Sequence, residues 1–471
     1  MQIEILGHNK YESRKERYMN ETRENPLGEK KVTSLLRQFA IPSIIAMLVS
    51  SLYNIVDQFF IGRSVGELGN AATNISFPLS ISCVAIALLF GIGGASAFNL
   101  TMGRGMKEKA VYYMANAAEM LFICGTVLAV ITLVFLEPLL RFFGSPENVL
   151  GYAMEYTRIV AFGFPFLILT TGGGHLIRAD GRPKMSMLCN MTGAVINTVL
   201  DAIFVFVLNM GMTGAALATV IGQIISCGLA LWFLSHCKSV KIERKHLRIK
   251  SEYVGRIVSL GAAPCSNQLS MMVVQIVMNK SLKYYGMQSI YGEAIPIACS
   301  GIISKVNMVF MSFIIGISQG LQPIVSFNYG AGKYDRVKKG FKTAIGCGFV
   351  LSLVAFALFQ FLPRQIISVF GNGSEEYFQF AVSYFRIFLF FTWLNFMQPI
   401  TSNFFTAIGK PKIGIFLSLT RQIIFLLPLL FIFPLFMGID GIMYAGPLAD
   451  ALAGLVTGAM AIREFKRGIY K

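Results

Sequence analysis

The chain predicts an all-α polytopic membrane protein of 12 transmembrane helices, arranged as two parallel six-helix bundles related by a pseudo-twofold axis. Composition is the first reason: 55% of the 471 residues are hydrophobic, 14% are charged and the mean hydropathy is +0.62, well above what a water-soluble globule needs. The second is length, because twelve windows supply the roughly 20 apolar residues that a membrane crossing requires. The third is duplication. Gly103-x-Gly105 returns as Gly330-x-Gly332, and Met210-Gly211-x-x-Gly214 as Met437-Gly438-x-x-Gly441, both at an offset of 227. Tyr156-x-Arg158-Ile159 returns as Tyr384-x-Arg386-Ile387, and Ala179-x-Gly181-Arg-Pro183 as Ala407-x-Gly409-Lys-Pro411, both at 228. Four matches in one order duplicate nearly the whole chain, and in a membrane protein that architecture points to transport.

The windows run in order as follows. A polar tail, 1–34, precedes the first helix, 35–62, which is apolar around an interior Pro42 and one acid, Asp57. The second, 72–102, ends at the Gly103 motif. The third, 110–136, holds Glu119, and the fourth, 150–174, ends in Gly172-Gly-Gly174. The fifth, 184–209, contains Asn197 and Asp201; the sixth, 212–236, contains Thr219. Together they form an N-lobe, 35–236. A basic linker, 237–255, leads to a C-lobe, 256–463, whose helices span 256–283, 296–328, 339–363, 377–405, 413–436 and 439–463. A short tail, 464–471, closes the chain. Because six crossings are an even number, both lobes enter the membrane in one direction and are parallel.

Charge orients them. Of the 41 lysines and arginines, 32 fall in or beside the tails and the loops of one face, and 4 beside the loops of the other. The positive-inside rule then makes both termini cytoplasmic in an inner (plasma) membrane. The same asymmetry accounts for the net charge of +17, so no nucleic-acid partner is implied. The linker is the densest basic stretch and is expected on the anionic inner leaflet. No apolar segment follows a basic start in the tail, so no cleaved signal peptide is expected.

The eight cysteines lie singly and never as C-x-x-C, and the four histidines are scattered. Neither set has metal-ligand spacing. No nucleophile elbow, phosphate loop or H-E-x-x-H occurs, so the chain is read as a non-enzyme without a cofactor, expected as a monomer.

Acids inside the membrane cost about 2.5–3.5 kcal/mol each on insertion scales and call for an explanation. At ~1.5 Å per residue, Asp57 lies about 8 Å below the outer end of its helix, Thr219 about 10 Å and Asp201 about 12 Å. Asn197 and Asp201 are spaced i,i+4, and Tyr53, Asn54 and Asp57 share a face by the same periodicity. Tyr53, Asn54, Asp57, Asn197, Asp201 and Thr219 therefore form a candidate cation-coupling set, able to hold a proton or, at Asp57, Asn197, Asp201 and Thr219, a sodium ion. A hydrogen-bonded plug that pins helices 1, 5 and 6 is the alternative.

In the C-lobe, Asp450 and Lys305 lie at similar depth, about 15 and 14 Å from the outer ends; they either pair or face a substrate. Met271, Gln275, Met278, Met308 and Met311 offer soft, adaptable side chains for a promiscuous cavity wall, though methionine also serves plain helix packing. Glu119 has no evident partner. Pro42 is the candidate hinge, since it removes a hydrogen bond from helix 1.

These residues resemble a known family. Tyr53-Asn-Ile-Val-Asp57-Gln-Phe-Phe-Ile-Gly62 with Pro42 before it, Arg178-Ala-Asp-Gly181-Arg-Pro183, and Gly320-Leu-Gln322-Pro323 leading to Asn328-Tyr329-Gly330-Ala-Gly332 look like helix 1, the helix 4–5 loop and the end of helix 8 of the multidrug and toxic compound extrusion (MATE) transporters. The resemblance covers about residues 30–465 and is similar to the DinF-like and MepA-like bacterial branch. It implies a V-shaped pair of bundles that rock between inward-open and outward-open states. It also implies a cation site at Asp57, Asn197, Asp201 and Thr219, and efflux of organic, amphipathic cations in exchange for H⁺ or Na⁺. The chain departs from the family pattern at Gly174, where many members carry asparagine. The windows 256–283 and 377–405 contain no Asp or Glu, unlike the NorM-like branch. A lipid-linked oligosaccharide flippase of the same superfamily is the second reading.

Overall fold

The structure, a computed structural model, describes residues 25–292, 294–369 and 375–466; most of the polar N-terminal tail and residues 467–471 of the C-terminal tail lie outside them. Twelve helical spans are long and apolar enough to cross a membrane. They are α1 (Val32–Arg63), α2 (Leu68–Gly103), α3 (Lys107–Val134), α4 (Glu147–Ala179), α5 (Pro183–Val207) and α6 (Gly211–Ser235), then α7 (Ser251–Met287), α8 (Ile295–Gly330), α9 (Tyr334–Phe361), α10 (Glu375–Ala407), α11 (Pro411–Met437) and α12 (Ile439–Phe465). No strand occurs among the described residues.

Backbone geometry follows the duplication. Gly105 and Gly332 have φ of 74° and 71°, Gly181 and Gly409 of 84° and 78°, and Gly211 and Gly438 of 56° and 59°. Each pair closes equivalent turns in a left-handed conformation that a side chain disfavours, which is why the glycines recur. Two short helices that the windows did not anticipate, Leu136–Phe142 and Pro363–Ser368, also recur at 227.

The spans are not uniformly regular. α5 ends in a π-helical turn, Ala202–Val207, directly after Asp201, whereas in α11 the π-helical stretch lies earlier, at Thr420–Leu426. α10 is broken: it is α-helical to Phe388, passes through a 3₁₀ turn at Thr392–Leu394, and resumes at Met397.

The lobes meet near the face that carries the chain's basic loops. A Cβ on Gly103 would lie 2.1 Å from the Phe327 carbonyl oxygen, and one on Gly330 would lie 2.2 Å from that of Leu100. Both pairs are related by 227, so this contact is self-complementary about the pseudo-twofold axis. α2 and α7 are closer still, since a Cβ on Gly261 would stand 1.7 Å from the Leu89 oxygen. Gly316 and Gly320 of α8 similarly receive Ile44 and Ala40 of α1. Glycine is required here because backbones touch. Gln322 then bridges to Ile92 O at 3.1 Å and Ser96 Oγ at 2.9 Å, and Ser51 meets Ser312 across the lobes at 2.8 Å.

Two connecting segments cross this seam reciprocally. The turn Pro26–Glu29 leads into α1 but is held by the other lobe: Asn328 and Arg336 donate to Leu27 O, and Lys333 donates to Gly28 O. The linker leads into α7 but is held by the first lobe, with Lys238 N and Ser239 N each donating to Asp180 at 2.8 Å and Lys250 N to Asn116 at 2.9 Å. The linker is therefore pinned to protein through its backbone and the buried His246, while Lys241, Arg244, Lys245, Arg248 and Lys250 are exposed. It is also shorter than expected, because residues 251–255 are already helical.

Candidate functional site

The acids of α1 and α5 converge. Asp201 is fully buried at the last regular turn of α5, and its carboxylate faces that of Asp57. Asn197, one turn before, donates from Nδ2 to Thr219 Oγ1 at 3.1 Å, and the Thr219 hydroxyl donates in turn to Ala215 O at 3.0 Å. Tyr53, one turn before Asp57, turns its phenol toward Thr219. Depth on three helices and the i,i+4 spacings thus bring Tyr53, Asp57, Asn197, Asp201 and Thr219 together.

Asn54 does not join them. Its side chain is exposed and its amide donates back to Ser50 O at 2.7 Å, because one residue of helical rotation carries it about 100° from Tyr53. Gly174 lies outside the cluster too. It is 18 residues along α4 from Tyr156, roughly 27 Å, and a Cβ there would meet Ser186, Asn190 and Arg178. Its departure from the family pattern leaves the acidic cluster untouched.

Tyr156 is the member that sequence reasoning missed. Its phenol points into the same cluster from α4, toward Thr219 with Asp57, Tyr53 and Asp201 around it. In the sequence it stands out only as a residue repeated at Tyr384, and the Tyr384 hydroxyl points to the sulfur of Met278, 3.8 Å away in the C-lobe core. One repeated tyrosine thus meets acids in one lobe and packing in the other.

The cluster is rich in acceptors. Asp57 Oδ1, Asp201 Oδ1 and Oδ2, and Asn197 Oδ1 are all buried without a hydrogen-bond partner. Buried acceptors in that number are costly unless something positive is supplied, and two close carboxylates do not both stay charged without it. Chemically the set fits a proton shared between the acids, or a hard monovalent cation taking oxygen ligands. Neutral phenol, amide and hydroxyl groups surround it, and none of the cluster is basic.

The C-lobe is arranged differently. Asp450 is held by Arg421 of α11, with Nε to Oδ1 at 2.5 Å and the carboxylate 1% exposed. Lys305 is not its partner, because α11 runs beside α12 whereas α8 packs on α1, α2, α9 and α10. Arg421 is an intramembrane base within the predicted window 413–436 that sequence reasoning missed. Met278 is buried in the core, so it is not a cavity wall; Met271 and Met308 are exposed, and Met311 is half-buried against the core. Gln275 donates to Asn279 on its own helix at 3.0 Å. Glu119 is half-buried with Oε2 unpartnered. Pro42 lies within an unbroken α1, between the Ala40 and Ile44 contacts to α8, so any hinge it provides belongs to the lobe seam, 15 residues before Asp57.

Comparison with known proteins agrees with the fold. The MatE family profile matches residues 42–203 and 267–432, once in each lobe. The multidrug export protein MepA of Staphylococcus haemolyticus is 24% identical over 91% of this chain and 93% of its own, and the probable multidrug resistance protein YoeA of Bacillus subtilis is 23% identical over 75% and 78%. An outward-facing structure of a multidrug resistance MATE family transporter of the MOP superfamily superposes with a TM-score of 0.87 at 22% identity, covering 94% of this chain and 98% of that one. Matched in both lobes and over nearly its whole length, this multi-pass membrane protein belongs to the MatE family and carries the fold of its transporters.

Proposed function

We propose that the protein is a secondary active antiporter that exports organic, amphipathic compounds in exchange for inward H⁺ or Na⁺. The observation that carries this reading is the asymmetry of the buried acids. Asp57 and Asp201 face each other with four unpartnered oxygens between them and Asn197, while the buried acids of the C-lobe, Asp450 and Glu464, are paired with Arg421 and Lys410. Among the described residues, the first lobe alone holds two facing buried carboxylates that no base neutralises, ready for a transported cation. The relatives named for multidrug export support the substrate class.

In this reading the protein sits in the inner membrane with both termini cytoplasmic, so the glycine seam closes the cytoplasmic side and the structure is outward-facing. Cation entry at Asp57 and Asp201 draws α1 and α5 together. α1 also forms the seam through Ala40 and Ile44, so site and seam are joined by one helix. Linkage requires that substrate and cation lower each other's affinity.

The test is efflux of ethidium from proteoliposomes under an imposed proton gradient and, separately, a sodium gradient. Efflux driven by either one supports the reading and names the ion. Efflux that follows the ethidium gradient alone overturns it.

A further inference from the structure

Backbone regularity is lost in the C-lobe at one place. α10 is interrupted between Phe388 and Met397, whereas its repeat partner α4 is continuous over the equivalent residues 160–169. α11 is π-helical over Thr420–Leu426, whereas α5 is regular over the equivalent 192–198. α12 carries Pro447 where α6 has none, and proline leaves a helical carbonyl without its donor. Irregular backbone at membrane depth persists only where protein covers it or it lines a cavity, and unwound helices there mark binding sites.

One side chain from each of these three helices meets at this place. Arg421 lies in the π-helical stretch, Asp450 three residues beyond Pro447, and Asn395, whose side chain faces the same carboxylate, in the break of α10. Gln398 opens the resumed half of α10 and donates to Leu417 O at 3.0 Å, which ties the break to the π-helical turn. The pairing of Arg421 with Asp450 uses Nε alone. Its two Nη groups have no protein acceptor among the described residues, and 19% of the side chain is accessible against 1% for Asp450.

We propose that Arg421 receives the carboxylate of zwitterionic amphiphiles, with Asp450 and Asn395 holding the guanidinium plane in position. A guanidinium fixed through Nε still presents a planar pair of Nη donors, a geometry that matches the two oxygens of a carboxylate. A simple anion would leave the neutral Arg421–Asp450 pair with a net charge inside the membrane; a zwitterion brings its own cation and leaves none. This assignment rests on the export reading above for its physiological meaning, but binding tests it independently of coupling.

The experiment is equilibrium binding to the purified full-length protein of tetramethylrhodamine, a zwitterion with a free carboxylate, and of its methyl ester, a monocation of the same skeleton. Arg421→Gln should weaken the zwitterion about tenfold or more, the range of a lost charge-assisted hydrogen bond, and change the ester less than twofold. The double variant Arg421→Gln/Asp450→Asn, which leaves no buried charge unpaired, should show the same selective loss while folding normally. Equal loss of both dyes in the double variant, or no loss of either, overturns the assignment. Failure of gradient-driven efflux alone would overturn antiport and leave this result standing.

Discussion

Replacing Asp201 by Asn separates a coupling site from a structural plug. The side chain is fully buried, both oxygens lack partners, and the Asp57 carboxylate faces it. The substitution keeps size and shape but removes one formal charge from the cation's surroundings. At a separation of ~4 Å and an effective dielectric of ~20, that charge is worth about 4 kcal/mol to a bound monovalent cation. This corresponds to roughly a thousandfold in affinity. The same change relieves a buried carboxylate that nothing neutralises, so the unliganded protein should unfold no more easily. Gradient-driven ethidium efflux and thermal unfolding in detergent measure the two effects on one preparation. The expected outcome is efflux lost at an unfolding temperature equal to or above that of the parent. Full efflux, or a fall in unfolding temperature with efflux retained, would refute the reasoning and favour the plug.

Further expectations follow from the contacts around the site and the seam. Thr219→Val leaves the Asn197 amide without its acceptor and should cost about 1–3 kcal/mol of stability, read as a lower unfolding temperature. Ser51→Cys with Ser312→Cys, in a background lacking the native cysteines, replaces two hydroxyls 2.8 Å apart across the lobes; oxidation should cross-link them and stop efflux, with dithiothreitol restoring it. Efflux unaffected by the cross-link would mean that the lobes need not separate there. Arg336→Ala removes donors to Leu27 O, Lys30 O and Asn328, and limited proteolysis should then cut before α1 faster than in the parent. Burial, with the charge of Asp180 as a smaller cause, pushes the Cys237 thiol up to about 12, so between pH 6 and 9 it holds almost no thiolate and mass spectrometry should find it scarcely alkylated by maleimide.

The acidic cluster was legible because helical periodicity and the fixed rise per residue are local properties. Depth from a helix end needs no knowledge of neighbours, and it placed Asp57, Asp201 and Thr219 at one level. Which way a side chain turns at that level depends on how each helix is rotated in its bundle. Asn54, adjacent to Tyr53, is therefore turned outward, and Tyr156, marked in the sequence only by its repetition, is turned in. The same limit held for Asp450: depth offered Lys305 as one possible partner, but helix adjacency gave it to Arg421.

By itself the sequence determined the membrane class, the number of spans, their pairing into two repeats and the positions of the left-handed glycine turns. All of these depend on composition, on segment length or on a backbone requirement that recurs at a constant offset. Tertiary structure decided what the repeat does not carry: the break in α10, the displaced π-helical turns, the reciprocal straps, and the pairing of one buried acid with arginine while two others are left facing each other. These are contacts between residues far apart in the chain, set by which helices are neighbours and by the rotation of each about its axis. A periodic pattern along one helix contains neither quantity.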